Sequence, residues 1–225
     1  YDFLERFVGV MWLMPGEIGE DVPEHTTISI PKQMITDQPT FISRDVVGLL
    51  GYHWGDRGQE DIGKVQMEWL DHNRNHSSIN FHHNLYNLFP PSEYLETHPE
   101  IYPQRDGEPY LPRDNAGWQI HFSNPFTVEE AIRNIVAYFN ENPDQIAYSL
   151  GINDPCCGQN GFIEQVTEKN SIGQDHYSEI YYDWVNQVAE GVLKVHPDKY
   201  FGLLAYAGVY DPPSFPLNPR VIPIK

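Results

Sequence analysis

The chain has 225 residues, of which 40% are hydrophobic, so it can bury one sizeable core and is globular rather than disordered. Its 32 acidic and 14 basic side chains give a formal net charge of −18 at pH 7. This charge repels phosphate backbones and anionic lipid, so we expect no nucleic-acid partner, although solubility alone also accounts for it. Because no apolar run approaches the length of a bilayer crossing, we also expect no membrane span.

The first 39 residues have the pattern of the C-terminal end of a small α/β domain, followed by a linker near Pro39. The chain begins inside a helical pattern and without Met, so we expect it to be a piece of a longer protein. Its two cysteines, Cys156 and Cys157, are adjacent. They fit either two reduced thiols or a strained vicinal disulfide, and they do not indicate a compartment.

From residue 40 onward, predicted strands and helices alternate. The strands are predicted at 41–46, 78–83, 118–123, 146–152, 200–205 and 221–224. The helices are predicted at 63–73, 91–97, 127–140 and 175–195. Such alternation is typical of an α/β fold with a parallel sheet and crossover helices. Without a Rossmann glycine fingerprint, it favours a (β/α)8 TIM-type barrel over residues 40–225, with strands 1 to 6 present.

Polar side chains stand at or just after the predicted strands, which in a barrel would meet at one mouth. The strand over 146–152 runs directly into Asn153 and Asp154, and Pro155 then ends it. These two residues are therefore candidate catalytic groups. The candidate ligand-binding side chains at the other strand ends are Arg44, His82, His83, His121, Asn124 and Tyr206.

Several of these side chains also fit structural roles. Arg44 is equally compatible with an ion pair to the neighbouring Asp45. Because His82 and His83 alternate along a strand, at most one of them faces the mouth. His121 also fits a place in the barrel core.

Trp54 and Trp118 are candidate platforms for a sugar ring, although core aromatic residues are commoner. A metal site built from the strand-end histidines and Asp154 is a weaker alternative, because the one short histidine spacing, His72 and His76, falls at a helix end. We therefore expect neither a metal ion nor another cofactor.

Four segments carry a resemblance to known carbohydrate enzymes. The sequence Trp-Leu-Met-Pro-Gly-Glu-Ile-Gly-Glu at 12–20 resembles the closing strand of the small α/β domain that precedes the barrel in family-67 α-glucuronidases. The segments 98–102, 119–125 and 149–154, the last followed by cysteine, resemble an uncharacterised bacterial family of glycoside-hydrolase-like barrels.

This resemblance implies a (β/α)8 barrel that acts on or binds carbohydrate, in the periplasm or outside a bacterial cell. Related family-20 hexosaminidases carry an Asp-Glu pair at the end of strand four and a sugar-binding arginine on strand one. Arg44 matches that arginine in placement, whereas Asn153-Asp154 departs from the acidic pair. The family also has more cysteines after Asn-Asp than this chain has.

Glycoside hydrolysis normally needs two carboxyl groups. We expect Asp154 to be the general acid and Asp211, which follows the fifth predicted strand, to be a candidate for the second carboxylate. A loop role for Asp211, which precedes two prolines, is equally compatible with the sequence. The alternative function is a barrel that binds acidic or N-acetylated sugars without cleaving them. The sequence leaves the sugar, the stereochemical course and the oligomeric state open.

Overall fold

The computed structural model of this chain describes residues 1–44, 60–156 and 161–225. Contacts between Cα atoms divide the chain into two compact units, Tyr1–Ser78 and Ile79–Lys225. The predicted boundary between residues 39 and 40 falls inside the first of these units, and it stays a prediction.

The first unit contains a small antiparallel hairpin and one longer helix. A π-helix spans Leu4–Val8, and strands β1 (Met11–Trp12) and β2 (Glu20–Asp21) pair antiparallel. A 3-10 helix, Glu17–Gly19, joins the two strands. The turn therefore coincides with the Pro-Gly-Glu sequence that follows β1.

Helix α1 spans Glu60–His72 and confirms the helix predicted at 63–73. The indole N–H of Trp69 donates to the carbonyl of Trp12 at 2.9 Å, so the helix is tied to the hairpin. Beyond the helix, His76 forms an antiparallel bridge with Arg44. Within residues 41–44, the described part of the strand predicted at 41–46, the β-structure is this one bridge.

The second unit begins with short elements on the way to its sheet. They are helices α2 (Leu85–Leu88) and α3 (Pro91–Tyr94), a 3-10 helix (Pro99–Ile101), and the antiparallel strands β3 (Gln104–Arg105) and β4 (Glu108–Pro109). Helix α3 confirms a shorter version of the helix predicted at 91–97, with proline at its first turn as helix geometry favours.

A parallel three-stranded sheet is the centre of the second unit. Strands β5 (Ala147–Ser149), β6 (Tyr200–Leu204) and β7 (Val221–Ile224) lie in that order, with Ala147 opposite Tyr200 and Phe201 opposite Val221. The strands predicted at these three places are confirmed. Their carboxyl ends therefore point to the same edge of the sheet.

Two crossover helices cover the sheet. Helix α4 spans Pro125–Glu141 and helix α5 spans Ser178–Leu193, and both confirm predicted helices. Each buries an apolar stripe, which includes Phe139 on α4 and Trp184 on α5. A Cβ atom on Gly191 would lie 2.2 Å from the side chain of Ile132, so glycine permits the close approach of the two helices. The helix begins before the predicted residue 127, because the side chain of Asn124 accepts the N–H of Phe126 and caps α4.

The chain at 79–83 runs beside β5 but does not form a regular ladder with it. His83 forms a single parallel bridge with Gly151, and the hydroxyl of Ser149 donates to the carbonyl of His82. A Cβ atom on Gly151 would lie 2.5 Å from that same carbonyl oxygen. The predicted strand at 78–83 is therefore reduced to one bridge, held by a side chain and a glycine.

The strand predicted at 118–123 is wrong. The side-chain amide of Gln119 donates to the carbonyl of Asn153 at 2.7 Å and accepts the N–H of Asn153 at 3.0 Å. A side chain thus occupies the backbone groups that a neighbouring strand would need. Trp118 is fully buried in the core, so the core alternative for this residue is confirmed.

The described residues contain three small sheets, and none of them closes on itself. The parallel sheet with its crossover helices is compatible with part of a (β/α)8 barrel, which stays a prediction. No helix within the described ranges has both the length and the apolar character that a bilayer crossing requires.

Candidate functional site

Three side chains from three separate segments meet at the carboxyl edge of the sheet: His83, Asp154 and Tyr206. The hydroxyl of Tyr206 donates to Oδ1 of Asp154 at 2.8 Å. Nε2 of His83 lies 3.6 Å from the same oxygen, and the rings of His83 and Tyr206 are 5.7 Å apart between centroids. We name these three residues the edge cluster.

The strands place the edge cluster. Asp154 follows β5 and Tyr206 follows β6, and these strands are parallel neighbours, so their exits lie side by side. His83 reaches the same edge through its bridge with Gly151. The carbonyl of Asp154 accepts the N–H of Gly117, which fixes the backbone beneath the carboxylate.

The carboxylate of Asp154 is accessible to a ligand. Its side chain is 50% exposed and that of His83 is 30% exposed. Burial and the neighbouring Asp154 raise the pKa of Tyr206 to about 12, so its hydroxyl keeps the proton that it donates at neutral pH. Tyr206 and His83 both approach Oδ1, which leaves Oδ2 as the oxygen directed to other partners.

The main chain sets the tautomer of His83. Its Nδ1 lies 2.5 Å from the carbonyl oxygen of Ile152. A carbonyl oxygen only accepts, so Nδ1 carries the proton and donates it. In the neutral form of the imidazole, the lone pair is therefore at Nε2, beside Asp154.

Asn153, predicted as a catalytic residue, belongs to the scaffold. Its side chain is 0% exposed, accepts the N–H of Tyr86 at 2.9 Å and donates to the carbonyl of Trp118 at 3.1 Å. The amide thus joins three segments of backbone. Its effect on the neighbouring Asp154 is to fix the direction in which that carboxylate leaves the strand.

His121 lies in a second pairing of histidine and carboxylate. Its Nε2 is 4.0 Å from Oε1 of Glu164, which also accepts the backbone N–H of Ser123 at 3.0 Å. The side chain of His121 is 35% exposed, whereas that of Glu164 is 7% exposed. Burial, Asp175 and Glu164 together raise the pKa of Tyr177, so Glu164 also acts electrostatically on that phenol.

The sequence did not single out Glu164. It lies ten residues past the strand exit, and no local pattern distinguishes it from Glu168 in the same loop. The available signal was positional: the loop after a barrel strand is where catalytic side chains collect. Only the fold shows that the chain at 164 returns to His121.

Other predicted residues have different surroundings. The ring of His82 packs on Phe81 with 4.5 Å between centroids, so His83 is the member of the histidine pair that joins the edge cluster. The side chain of Asn124 caps α4. Arg44 is exposed in the first unit, and Trp54 and Cys157 lie outside the described residues.

Asp211, predicted as the second carboxylate, is held by a loop. The backbone N–H of Ser171 donates to Oδ2 at 2.7 Å, and the hydroxyl of Ser171 donates to Oδ1 at 2.5 Å. These two bonds, with a smaller contribution from His176, lower the pKa of Asp211. The geometry favours the loop role that the sequence left open.

A groove lies between the N-terminal halves of α4 and α5. Its volume is about 530 Å³, and Ser123, Asn124, Glu179, Asp183 and Phe215 are among its lining residues. Ser123 also donates to Glu164, so the groove borders the second histidine–carboxylate pair. Within the ranges that the structure describes, no three His, Cys, Asp or Glu side chains converge as a metal centre would require.

Comparison with known proteins places the chain at the level of a family. No curated protein and no solved structure matches it. A family model described as a domain of unknown function (DUF4838) matches residues 14–224. Since this match covers well over half of the 225 residues, the chain belongs to the DUF4838 family.

Proposed function

We propose that this protein is a glycoside-hydrolase-like (β/α)8 barrel protein that cleaves a glycosidic bond in an oligo- or polysaccharide with acidic or N-acetylated sugars. The observation that carries the proposal is the edge cluster. It joins a half-exposed carboxylate, an imidazole and a phenol at the carboxyl edge of a parallel sheet. Carboxyl groups at that edge are the usual acid–base groups of barrel glycosidases.

Asp154 is the general acid in this mechanism. Its proton passes to the glycosidic oxygen as the bond from that oxygen to the anomeric carbon breaks, and water adds to the carbon. Tyr206 holds Oδ1 of the carboxyl group, and Oδ2 then faces the leaving oxygen. His83, with its Nε2 lone pair at the same place, accepts a sugar hydroxyl.

Further contacts to sugar are proposed for other side chains that the sequence singled out. They are His121 and Asn124, and Asn124 also lines the groove between α4 and α5. Arg44 and Trp54 stay candidates for sugar contact from the sequence alone. No metal ion or cofactor takes part in the proposed reaction. The resemblance further suggests a periplasmic or extracellular location in a bacterium.

The test is turnover by the wild type and by Asp154→Asn on a panel of uronic-acid and N-acetylhexosamine oligosaccharides, with Asp114→Asn as the matched control. Asp114 is an exposed aspartate in the same unit. We expect Asp154→Asn to lower kcat by about 10²-fold or more and the control to leave it unchanged, because general acid catalysis contributes about 10²–10⁴-fold. Equal turnover by Asp154→Asn and the wild type would remove Asp154 from the mechanism.

A non-catalytic carbohydrate-binding barrel is the second candidate function. Among the described residues, the edge cluster contains a single carboxylate, that of Asp154. This observation favours the alternative. Binding on a glycan array, without cleavage of any bound sugar, would decide for this alternative.

A further inference from the structure

The edge cluster leaves one requirement of the proposed reaction unmet. Hydrolysis with one acid also needs a base that takes a proton from the attacking water. Asp211 is occupied by Ser171. In the proposed reaction Asp154 is the acid and His83 binds a sugar hydroxyl, so the base is a further side chain.

Glu164 has an oxygen that the fold does not use. Its Oε1 accepts Ser123, but its Oε2 is buried and makes no hydrogen bond to any described residue. A buried acceptor without a donor costs about 1–3 kcal/mol, and more for a charged group. Such groups are rare in folded proteins and tend to have a functional reason.

The neighbour of Glu164 is a histidine that reaches solvent. His121 is 35% exposed, and its Nε2 stands 4.0 Å from Oε1 of the buried carboxylate. A buried carboxylate behind an accessible imidazole is the arrangement that orients a histidine as a general base. The two groups are too far apart for a hydrogen bond in this structure, and catalytic hydrogen bonds often form only when substrate binds.

One segment of the chain contacts both histidine–carboxylate pairs. Asp154 and Glu164 lie in the one loop between β5 and α5, and His121 precedes α4. The segment 116–123 contacts both, since Gly117 donates to the backbone of Asp154 and Ser123 donates to Glu164. This segment therefore connects the two pairs through the backbone.

We propose that His121 is the base of the reaction and that Glu164 is its positioning residue; the proposal rests on the proposed function. His121 takes one proton from water as the water oxygen bonds to the anomeric carbon. Asp154 gives one proton to the departing sugar oxygen as its bond to that carbon breaks. Protons and bonds balance, and no further reactant is needed.

The test is a double-mutant cycle of His121→Gln and Glu164→Gln on a glycoside that the wild type cleaves. Glutamine at 164 keeps an oxygen for the N–H of Ser123, so the loop contact survives. Each single variant is expected to lower kcat by about 10²-fold with KM within about threefold of wild type, and the double variant to be no slower than His121→Gln alone. Glu168→Gln, an exposed carboxylate of the same loop, is the matched control and is expected to retain full turnover.

The outcomes separate the two proposals. A wild type that binds sugars but cleaves none overturns the proposed function and this inference together. A wild type that needs Asp154 but tolerates His121→Gln, a change at a partly exposed side chain that leaves the buried Glu164 in place, overturns this inference alone. Losses that add in the double variant, or that appear in KM and the unfolding temperature instead of kcat, assign Glu164 a structural role and also overturn it.

Discussion

The phenol of Tyr206 and the carboxylate of Asp154 are separated by 52 positions in sequence, yet they share a 2.8 Å hydrogen bond. The bond exists because β5 and β6 are parallel neighbours with exits at the same edge. The bond joins the segment after β5 to the segment after β6. Neither side chain takes part in the backbone pairing of these strands. Such a contact is a sensitive place to test the site.

Tyr206→Phe removes the donor to Asp154 and keeps the ring. We expect kcat/KM on a cleaved glycoside to fall about tenfold, because a hydrogen bond to a charged group contributes about 1.5–3 kcal/mol and this one is partly exposed to solvent. Steady-state kinetics measure the change. Tyr210→Phe is the control, since the described contact of Tyr210 is between its ring and Lys225. Equal losses in both variants would contradict the assignment.

Two phenols with raised pKa values make the stability of the second unit sensitive to alkali. Burial raises the pKa of Tyr148 to about 12, and burial and Asp154 raise that of Tyr206 to about 12, from about 10 in the unfolded chain. The unfolded state then loses its protons first, so the stabilisation is complete below pH 10 and is lost as the pH rises toward 12. We expect the free energy of unfolding in urea to fall between about pH 10 and 12, with a shallower fall in Tyr148→Phe. A flat profile over this range would refute the argument.

Asn153→Ala tests the scaffold role of the amide. The substitution leaves the N–H of Tyr86 and the carbonyl of Trp118 without their partner in a buried place. We expect a loss of about 2–4 kcal/mol in the free energy of unfolding, measured in urea. Asn140→Ala, at an exposed position of α4, is the control and should change stability by less than about 0.5 kcal/mol. A similar small effect at Asn153 would show that the described bonds contribute little.

Asp211→Asn separates the loop role from a catalytic one. Ser171 holds the carboxylate and lowers its pKa, so the contribution of Asp211 to stability is present above the unfolded pKa and is lost as the pH falls through the folded value. We expect faster hydrogen exchange at 169–175 near neutral pH and unchanged kcat. Asp144→Asn, an exposed aspartate before β5, is the control for exchange. A large loss of kcat with unchanged exchange would restore Asp211 as a catalytic carboxylate.

Hydrophobic periodicity was enough to predict the elements that pack on their own apolar faces. The helices α4 and α5 and the strands β5, β6 and β7 follow from it, and with them the placement of Asp154 and Tyr206 at strand exits. The prediction failed where side chains replace backbone pairing. Gln119 bonds both backbone groups of Asn153, and a sequence pattern does not show which polar side chain will do so.

The partners of the predicted site residues were also beyond the sequence. Asn153 and Asp154 are adjacent polar residues at one strand end, yet one is fully buried and the other half exposed. The difference depends on the distant backbone of Tyr86 and Trp118, which the fold brings to Asn153. The sequence did not indicate Glu164 for the same reason, because only the folded loop places it beside His121.

The hydrogen bond from Nδ1 of His83 to the carbonyl of Ile152 has a consequence for sequence variation among relatives of this chain. A peptide oxygen is common to all twenty amino acids, so replacing the side chain at 152 leaves the ring's protonation pattern intact as long as the backbone path is kept. Substitution at residue 152 therefore leaves the tautomer of His83 unchanged. Replacement of His83 itself removes the imidazole from the edge cluster.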